Sequence, residues 1–246
     1  MDGVRVLVVG ASSGIGRAFA TSAVELGADV CVSARRVERL EEWRTEVGSG
    51  HVFAADVTDA DQAATMVSAA AERMGGLDLV LYAAGTAVLR PLGSAEADDY
   101  RLAHEVNVIG PAMVAQAALD VLSPDGLLSF ISSESAAEVR WGMAAYASSK
   151  AALDTAIRYW RHEHPERRFQ RVIMGATMPT GFIDLMGASE HLGTAMERWS
   201  STGIQMTVMQ TNDVGRHLAE VLAVVLAHPD IDVPDLYLDP RGAAWE

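Results

Sequence analysis

Short apolar runs alternate with longer amphipathic stretches along most of this chain. Residues 4–9 read as a strand buried on both faces, because their apolar side chains are continuous rather than alternating. A glycine turn over 10–16 follows. An amphipathic helix then runs through Arg17, Phe19, Ala20, Val24 and Leu26, and Gly27 stops it. Residues 29–33 and 51–54 give the second and third strands. Thr58 or Asp59 caps a helix that ends before Gly75 and Gly76. Residues 77–82 are the fourth strand. One long helix is expected over 98–122, where Pro111 can kink it and free a carbonyl. Residues 126–131 are a fifth strand that ends on Ser132 and Ser133. A helix starts near Tyr146 and ends near His164 and Pro165. Strand 169–174, a helix from Asn212 to about Leu226 and a last strand over 236–238 complete the pattern.

Strand and helix in repeated alternation predict a parallel, doubly wound α/β sheet with right-handed crossovers. Its crevice, where the strand order reverses, is the expected ligand site. Residues 179–211 break the rhythm. They are rich in Met, Gly, Ser and Thr, with Phe182, Leu185, Met186, Leu192, Met196, Trp199, Met206 and Met209 as the apolar members. The segment reads either as a substrate lid or as an oligomer contact or small satellite core. No repeat, linker or low-complexity tract marks a second unit, so 1–246 reads as one domain.

Composition narrows the partners. The chain has 246 residues and a formal net charge of −14, which argues against nucleic acid and anionic membrane surfaces. Half of it is hydrophobic, yet no apolar run is long enough to span a bilayer. Cys31 is the one cysteine, so no intrachain disulfide forms. It lies in an apolar strand and reads as a small core residue. With no export signal at the N-terminus, a cytoplasmic location is expected.

Two stretches carry chemistry. Gly10, Gly14 and Gly16 stand between a buried strand and a helix. There Gly10 permits the tight turn, Gly14 the approach of a pyrophosphate, and Gly16 helix packing on the strand. Amides at the helix start receive the phosphate charge. The spacing is G-x-x-x-G-x-G. After the second strand, where an NAD site would place a carboxylate, the chain has Ala34-Arg35-Arg36. A guanidinium there suits a ribose 2′-phosphate, with Arg35 as the main candidate. The alternative is a solvated pair of arginines at a helix start. In the second stretch, Tyr146 and Lys150 are four apart and share a helix face. An ammonium about 4 Å from a phenol lowers its pKa by roughly 3 units at an effective dielectric near 20. Tyr146 would then exchange protons with an alcohol or carbonyl near neutral pH, with Ser133 holding the reacting oxygen.

These residues resemble the short-chain dehydrogenase/reductase family over nearly the whole chain. The likeness rests on Gly10-x-x-x-Gly14-Ile15-Gly16, Asp56-Val57, Asn107, Ser133, Tyr146-x-x-x-Lys150 and the Pro179 segment. The separation 146 − 133 = 13 matches the family pattern and selects Ser133 over Ser132. The resemblance implies a single-domain Rossmann fold of about seven parallel strands, in homodimers or homotetramers. It also implies hydride transfer between a nicotinamide cofactor and an alcohol or carbonyl. Tyr146 would be the general acid in reduction and the base in oxidation. Lys150 would lower the Tyr146 pKa and hold the nicotinamide ribose, Ser133 would orient the substrate oxygen, and Asn107 would shape the helix for a proton relay. The implied cofactor contacts are Gly10, Ser12, Ser13, Gly14, Ile15, Gly16, Arg35, Arg36, Asp56, Val57, Ala84, Gly85, Tyr146, Lys150, Pro179 and Thr180. No residue is assigned to a metal. NADP(H) is the expected cofactor, and a moderately apolar ketone or secondary alcohol the expected substrate. The enoyl-reductase branch spaces its Tyr and Lys more widely, which favours carbonyl chemistry.

The chain departs from the family pattern at four places. Val9 stands where the family usually has Thr. Tyr82-Ala83-Ala84-Gly85 replaces Asn-Asn-Ala-Gly, and Pro179-Thr180 replaces Pro-Gly. Asp184 is found near where a Thr usually follows. A cofactor-binding sensor or assembly protein with little catalysis is the competing reading. Trp141 and Met143 are candidate pocket walls. Glu134, Glu138 and Arg140 read as specificity groups or as surface charges.

Overall fold

The computed structural model describes residues 1–180, 189–201 and 207–241. Phe182, Asp184, Leu185, Met186 and Met206, all named above, lie outside the described residues. Seven strands form one parallel sheet: β1 (Arg5–Val9), β2 (Asp29–Ala34), β3 (His51–Ala54), β4 (Leu77–Tyr82), β5 (Leu122–Ile131), β6 (Arg168–Met174) and, after two short strands, β9 (Asp235–Leu238). Their order is β3-β2-β1-β4-β5-β6-β9, every pairing is parallel, and the direction of winding reverses between β1 and β4. This is the doubly wound Rossmann-type α/β sheet that the alternation predicts.

Helices cover both faces. On one side lie α1 (Gly14–Glu25), α2 (Val37–Val47) and α8 (Thr211–Ala227). They bury Phe19, Leu40, Trp43 and Leu218 against Val6, Val8, Val30 and Leu79. On the other side lie α3 (Ala60–Met74), α4 (Ala97–His104), α5 (Gly110–Ala118) and α6 (Ala144–Glu163). There Met66, Val114, Leu153 and Ile157 pack on Leu7, Val80, Leu128 and Phe130. The central strands are covered on both faces, which is why their sequences are apolar without alternation. Cys31 is buried in this core, 2 % exposed. Asp59 caps α3, its side chain accepting the amides of Asp61 and Gln62.

Two expectations are corrected. The helix expected over 98–122 is α4 and α5 joined by a π-helical turn, Glu105–Ile109, and it stops at Ala118. Leu122 pairs with Leu77 in the sheet; its apolar character serves a strand, a use that periodicity alone does not distinguish. The segment expected to be irregular contains α7 (Leu192–Ser201). It is flanked by a parallel pair, β7 (Thr177–Met178) and β8 (Met209–Gln210). The peptide between Met178 and Pro179 is cis. No helix among the described residues is long and apolar enough to cross a membrane.

Candidate active site

The carboxyl ends of β1 and β4 meet at the point of reversal. Gly10 and Ala11 donate to the Ser33 carbonyl at 2.7 and 3.1 Å, and Ala83 donates to the Val9 carbonyl at 2.8 Å. The crossing is tight: a Cβ on Gly10, whose φ is +93°, would stand 2.3 Å from the Ala84 nitrogen. Only glycine fits there. A Cβ on Gly16 would lie 2.6 Å from the Gly10 oxygen, so α1 packs directly on the turn. Gly14, at φ 60°, opens α1. Ser13 is the N-cap residue but makes no side-chain cap, and the first turn carries no acidic residue. The helix start is therefore free to take an anion. Ile15 is half-buried against the core.

Arg36, rather than Arg35, touches this turn. Its Nη2 donates to Ser12 Oγ at 2.9 Å and Ser13 Oγ at 3.1 Å. Arg35 extends toward Asp56, with 3.8 Å between Nη1 and Oδ2. The other Asp56 oxygen accepts from Thr58 N and Oγ1. Val57 is buried and meets the helix at Gly110. Pro179 and Thr180 follow β7, and the Pro179 carbonyl accepts from Thr211 Oγ1. These groups fit a dinucleotide: a glycine cradle, an open helix start and two guanidiniums just past the end of β2.

The second half of the site lies on α6 and the end of β5. Lys150 is 4 % exposed and donates to the Ile131 carbonyl at 2.7 Å. Tyr146 is 6 % exposed. Lys150 Nζ is 6.0 Å from the centre of its ring. Ser133 continues β5 in extended conformation. Its Oγ accepts from Ser135 N at 3.2 Å and lies beside the Tyr146 phenol. Ser132 instead donates to Asp154 Oδ1 at 2.5 Å. Asn107, fully buried in the π turn, accepts from Thr86 N at 3.0 Å. Its Nδ2 donates to the Thr86 carbonyl and to Ser149 Oγ, each at 2.9 Å. Among the described residues, a Cβ on Gly85 would meet only Asn107 Oδ1 at 3.5 Å and Lys150 Nζ at 3.9 Å. The structure thus brings Gly85, Asn107, Ser133, Tyr146 and Lys150 to one place.

The electrostatics differ from the expectation that Lys150 pulls the Tyr146 pKa down. Burial dominates both groups. It pushes the Tyr146 phenol up to about 12, against the nearby Ser133 hydroxyl and the charge of Arg140. It pushes Lys150 down to about 8, opposed by Asp154. Burial also raises Glu134, which pairs with Arg140. Glu134, Glu138 and Arg140 thus form one ion-pair cluster beside Tyr146. Tyr146 packs with Ala87, Leu89, Met143, Ala195 and Trp199, with Trp141 and Leu192 alongside. Trp199 Nε1 donates to the Trp141 carbonyl at 3.1 Å, and Ser189 Oγ to the Leu89 carbonyl at 2.7 Å. Helix α7 is thereby fastened over Tyr146.

Sequence reasoning missed Thr86, Ser149 and Asp154. Asp154 was within reach, since it stands one turn beyond Lys150 on the same face.

A family model, short chain dehydrogenase, matches residues 5–193, and the chain belongs to that family of oxidoreductases. It is 35 % identical over 161 residues to a short chain dehydrogenase of Pseudocercospora fijiensis, a match covering 62 % of this chain and 52 % of that protein. The chain thus spans about half the length of that curated relative. A solved short chain dehydrogenase from Burkholderia cenocepacia J2315, in complex with NADP, is 28 % identical over 97 % of each chain, with a TM-score of 0.79. An alcohol dehydrogenase from the archaeon Thermococcus sibiricus, complexed with 5-hydroxy-NADP, covers 100 % of both chains at a TM-score of 0.81. At 24 % identity that likeness concerns the fold.

Proposed function

We propose that this protein is an NADP(H)-dependent carbonyl reductase or alcohol dehydrogenase acting on a moderately apolar ketone or secondary alcohol. The observation that carries the reading is a buried Tyr146 set beside Ser133 and Lys150 inside an apolar cage of Leu89, Met143 and Trp199. When bound, the reduced nicotinamide supplies the hydride. The carbonyl carbon gains a hydrogen with its electron pair, the C=O π pair moves onto oxygen, and that oxygen takes the proton of Tyr146 Oη. Oxidation returns the proton to Tyr146. Burial keeps the phenol protonated at neutral pH, as a donor must be, and the alkoxide forming in reduction is the stronger base. Ser133 orients the same oxygen. Lys150, buried and next to the Gly85 floor, holds the ribose and adds positive charge near the phenol.

The preference for NADP is supported by Arg36 on Ser12 and Ser13, by Arg35 beside it, and by the NADP held in the Burkholderia relative. The chain functions as one domain, with α7 as part of a substrate lid, in a homodimer or homotetramer in the cytoplasm.

Separate titrations with NADPH and NADH, followed by a carbonyl screen with NADPH, test the reading. Tighter NADPH binding and turnover abolished in Tyr146→Phe, with NADPH affinity kept, are the expected results. Unchanged turnover in that variant would overturn the catalytic assignment.

A further inference from the structure

Strand β4 ends in Tyr82, which is 1 % exposed. Its hydroxyl donates to the Val106 carbonyl at 2.8 Å. That carbonyl belongs to the π turn Glu105–Ile109, where Gly110 N donates five residues back, to Glu105 O. The next donor in that register would be residue 111, and its acceptor Val106. Residue 111 is proline and has no N–H to give. Tyr82 supplies the hydrogen that the helix lacks. The fit is close, since a Cβ on Gly110 would stand 2.5 Å from the Tyr82 oxygen.

The same turn carries Asn107. Its amide clasps Thr86 and donates to Ser149 Oγ at 2.9 Å. Ser149 lies between Tyr146 and Lys150, and its hydroxyl donates to the Tyr146 carbonyl at 2.7 Å. A continuous path of hydrogen bonds and one helical turn thus joins Tyr82 to the first turns of α6. We propose that Tyr82 is a positioning residue: it fixes the π turn that aims Asn107, and through Asn107 the turn of α6 that presents Tyr146 and Lys150. Burial also holds the Tyr82 phenol far above its ordinary pKa, so it stays a donor across the neutral range. The kinetic part of the proposal rests on the carbonyl-reductase reading; the structural part does not.

Three variants test it: Tyr82→Phe, Pro111→Ala and the two combined. Tyr82→Phe leaves a buried carbonyl without a donor. Pro111→Ala returns an N–H in the register that reaches Val106. The Thr86 amide, bound to Asn107 Oδ1, reports the clasp by hydrogen exchange. Tyr82→Phe should speed Thr86 exchange about tenfold relative to Leu81 in β4, a change that corresponds to the loss of one buried hydrogen bond. It should lower kcat by about tenfold with KM and NADPH affinity nearly unchanged. Adding Pro111→Ala should reverse both effects. The proposal is overturned if exchange rises uniformly through β4 with kcat of the folded protein unchanged, if Thr86 exchange does not move, or if Pro111→Ala fails to restore it. If the unaltered protein reduces no carbonyl with NADPH, the functional reading fails, and Thr86 exchange with its rescue alone decides the role of Tyr82.

Discussion

Asp154 accepts the Ser132 hydroxyl at 2.5 Å, so the helix that carries Lys150 is tied to the strand end that carries Ser133. The other Asp154 oxygen accepts from Arg171 at 2.9 Å. Arg171 also reaches Asp235 on β9 at 2.8 Å, and Arg161 reaches it at 3.1 Å. A run of matched charges therefore links the site to the edge of the sheet.

Replacing Asp154 by Asn keeps its shape and removes its charge. We expect a loss of about 1–3 kcal/mol in urea denaturation, because Arg171 keeps Asp235 but loses one of its two partners. Asp154 also supports the charge on Lys150. The limb of the reductive kcat profile set by Lys150, near pH 8 in the native protein, should move to lower pH. A limb that stays in place while stability falls would limit Asp154 to packing.

Lys150→Met should stabilise the protein while abolishing turnover. Burial holds the Lys150 pKa at about 8, against an ordinary value of 10.5. Between those values the unfolded chain binds more protons than the folded one, so the stability that Lys150 permits is full above about 10.5 and is lost as pH falls through 8. At pH 7 the variant should be more stable by roughly 3 kcal/mol. The gap should close as pH rises past 10. Denaturation midpoints at pH 7 and pH 10 measure it, and a gap independent of pH would contradict the assignment.

Arg36→Ala should weaken NADPH binding by about 10- to 100-fold, the scale of a charge-assisted hydrogen bond, and leave NADH within about twofold. Fluorescence titration of both cofactors decides this. Equal losses for the two would mean that Arg36 supports the glycine turn and does not read the 2′-phosphate.

Trp199→Ala opens the cage around Tyr146. For an apolar ketone, KM should rise by about tenfold or more, as a large apolar contact is lost, with NADPH affinity unchanged. Were KM to stay constant while the melting temperature fell, α7 would be a satellite core and not a substrate lid.

Much of the fold was legible because a covered strand leaves a continuous apolar trace, as Leu77–Tyr82 does, and even the edge strand His51–Ala54 is announced by the glycine before it. A cap at Thr58 or Asp59 was readable because a side-chain acceptor must meet the orphan amides of α3; which of the two does so, Asp59, came only with the structure. The break in the helix at Glu105–Ile109 was half legible. Pro111 announced that a donor was missing, but nothing local announced that Tyr82, 24 residues earlier, would replace it. The choice of Arg36 over Arg35 at the serines was hidden for a similar reason. Two adjacent arginines leave a strand end in different directions, and only the path of the chain tells which one turns toward the glycines. The rise of the Tyr146 pKa was invisible too, because spacing gives neighbours on a helix and says nothing about how much water α7 excludes.

Ser132 and Ser133 are chemically alike, yet one is fastened to Asp154 and the other faces Tyr146. Neighbours on an extended backbone point in opposite directions. Which serine meets the phenol is therefore decided by a count of residues, not by a kind of residue. Deleting any single position between Leu127 and Ile131 would draw Ser133 back into the place of Ser132 and set Glu134 before the phenol, while leaving every side chain of the site in the protein. The length of this strand is itself a piece of the active site, one that no substitution scan would reveal.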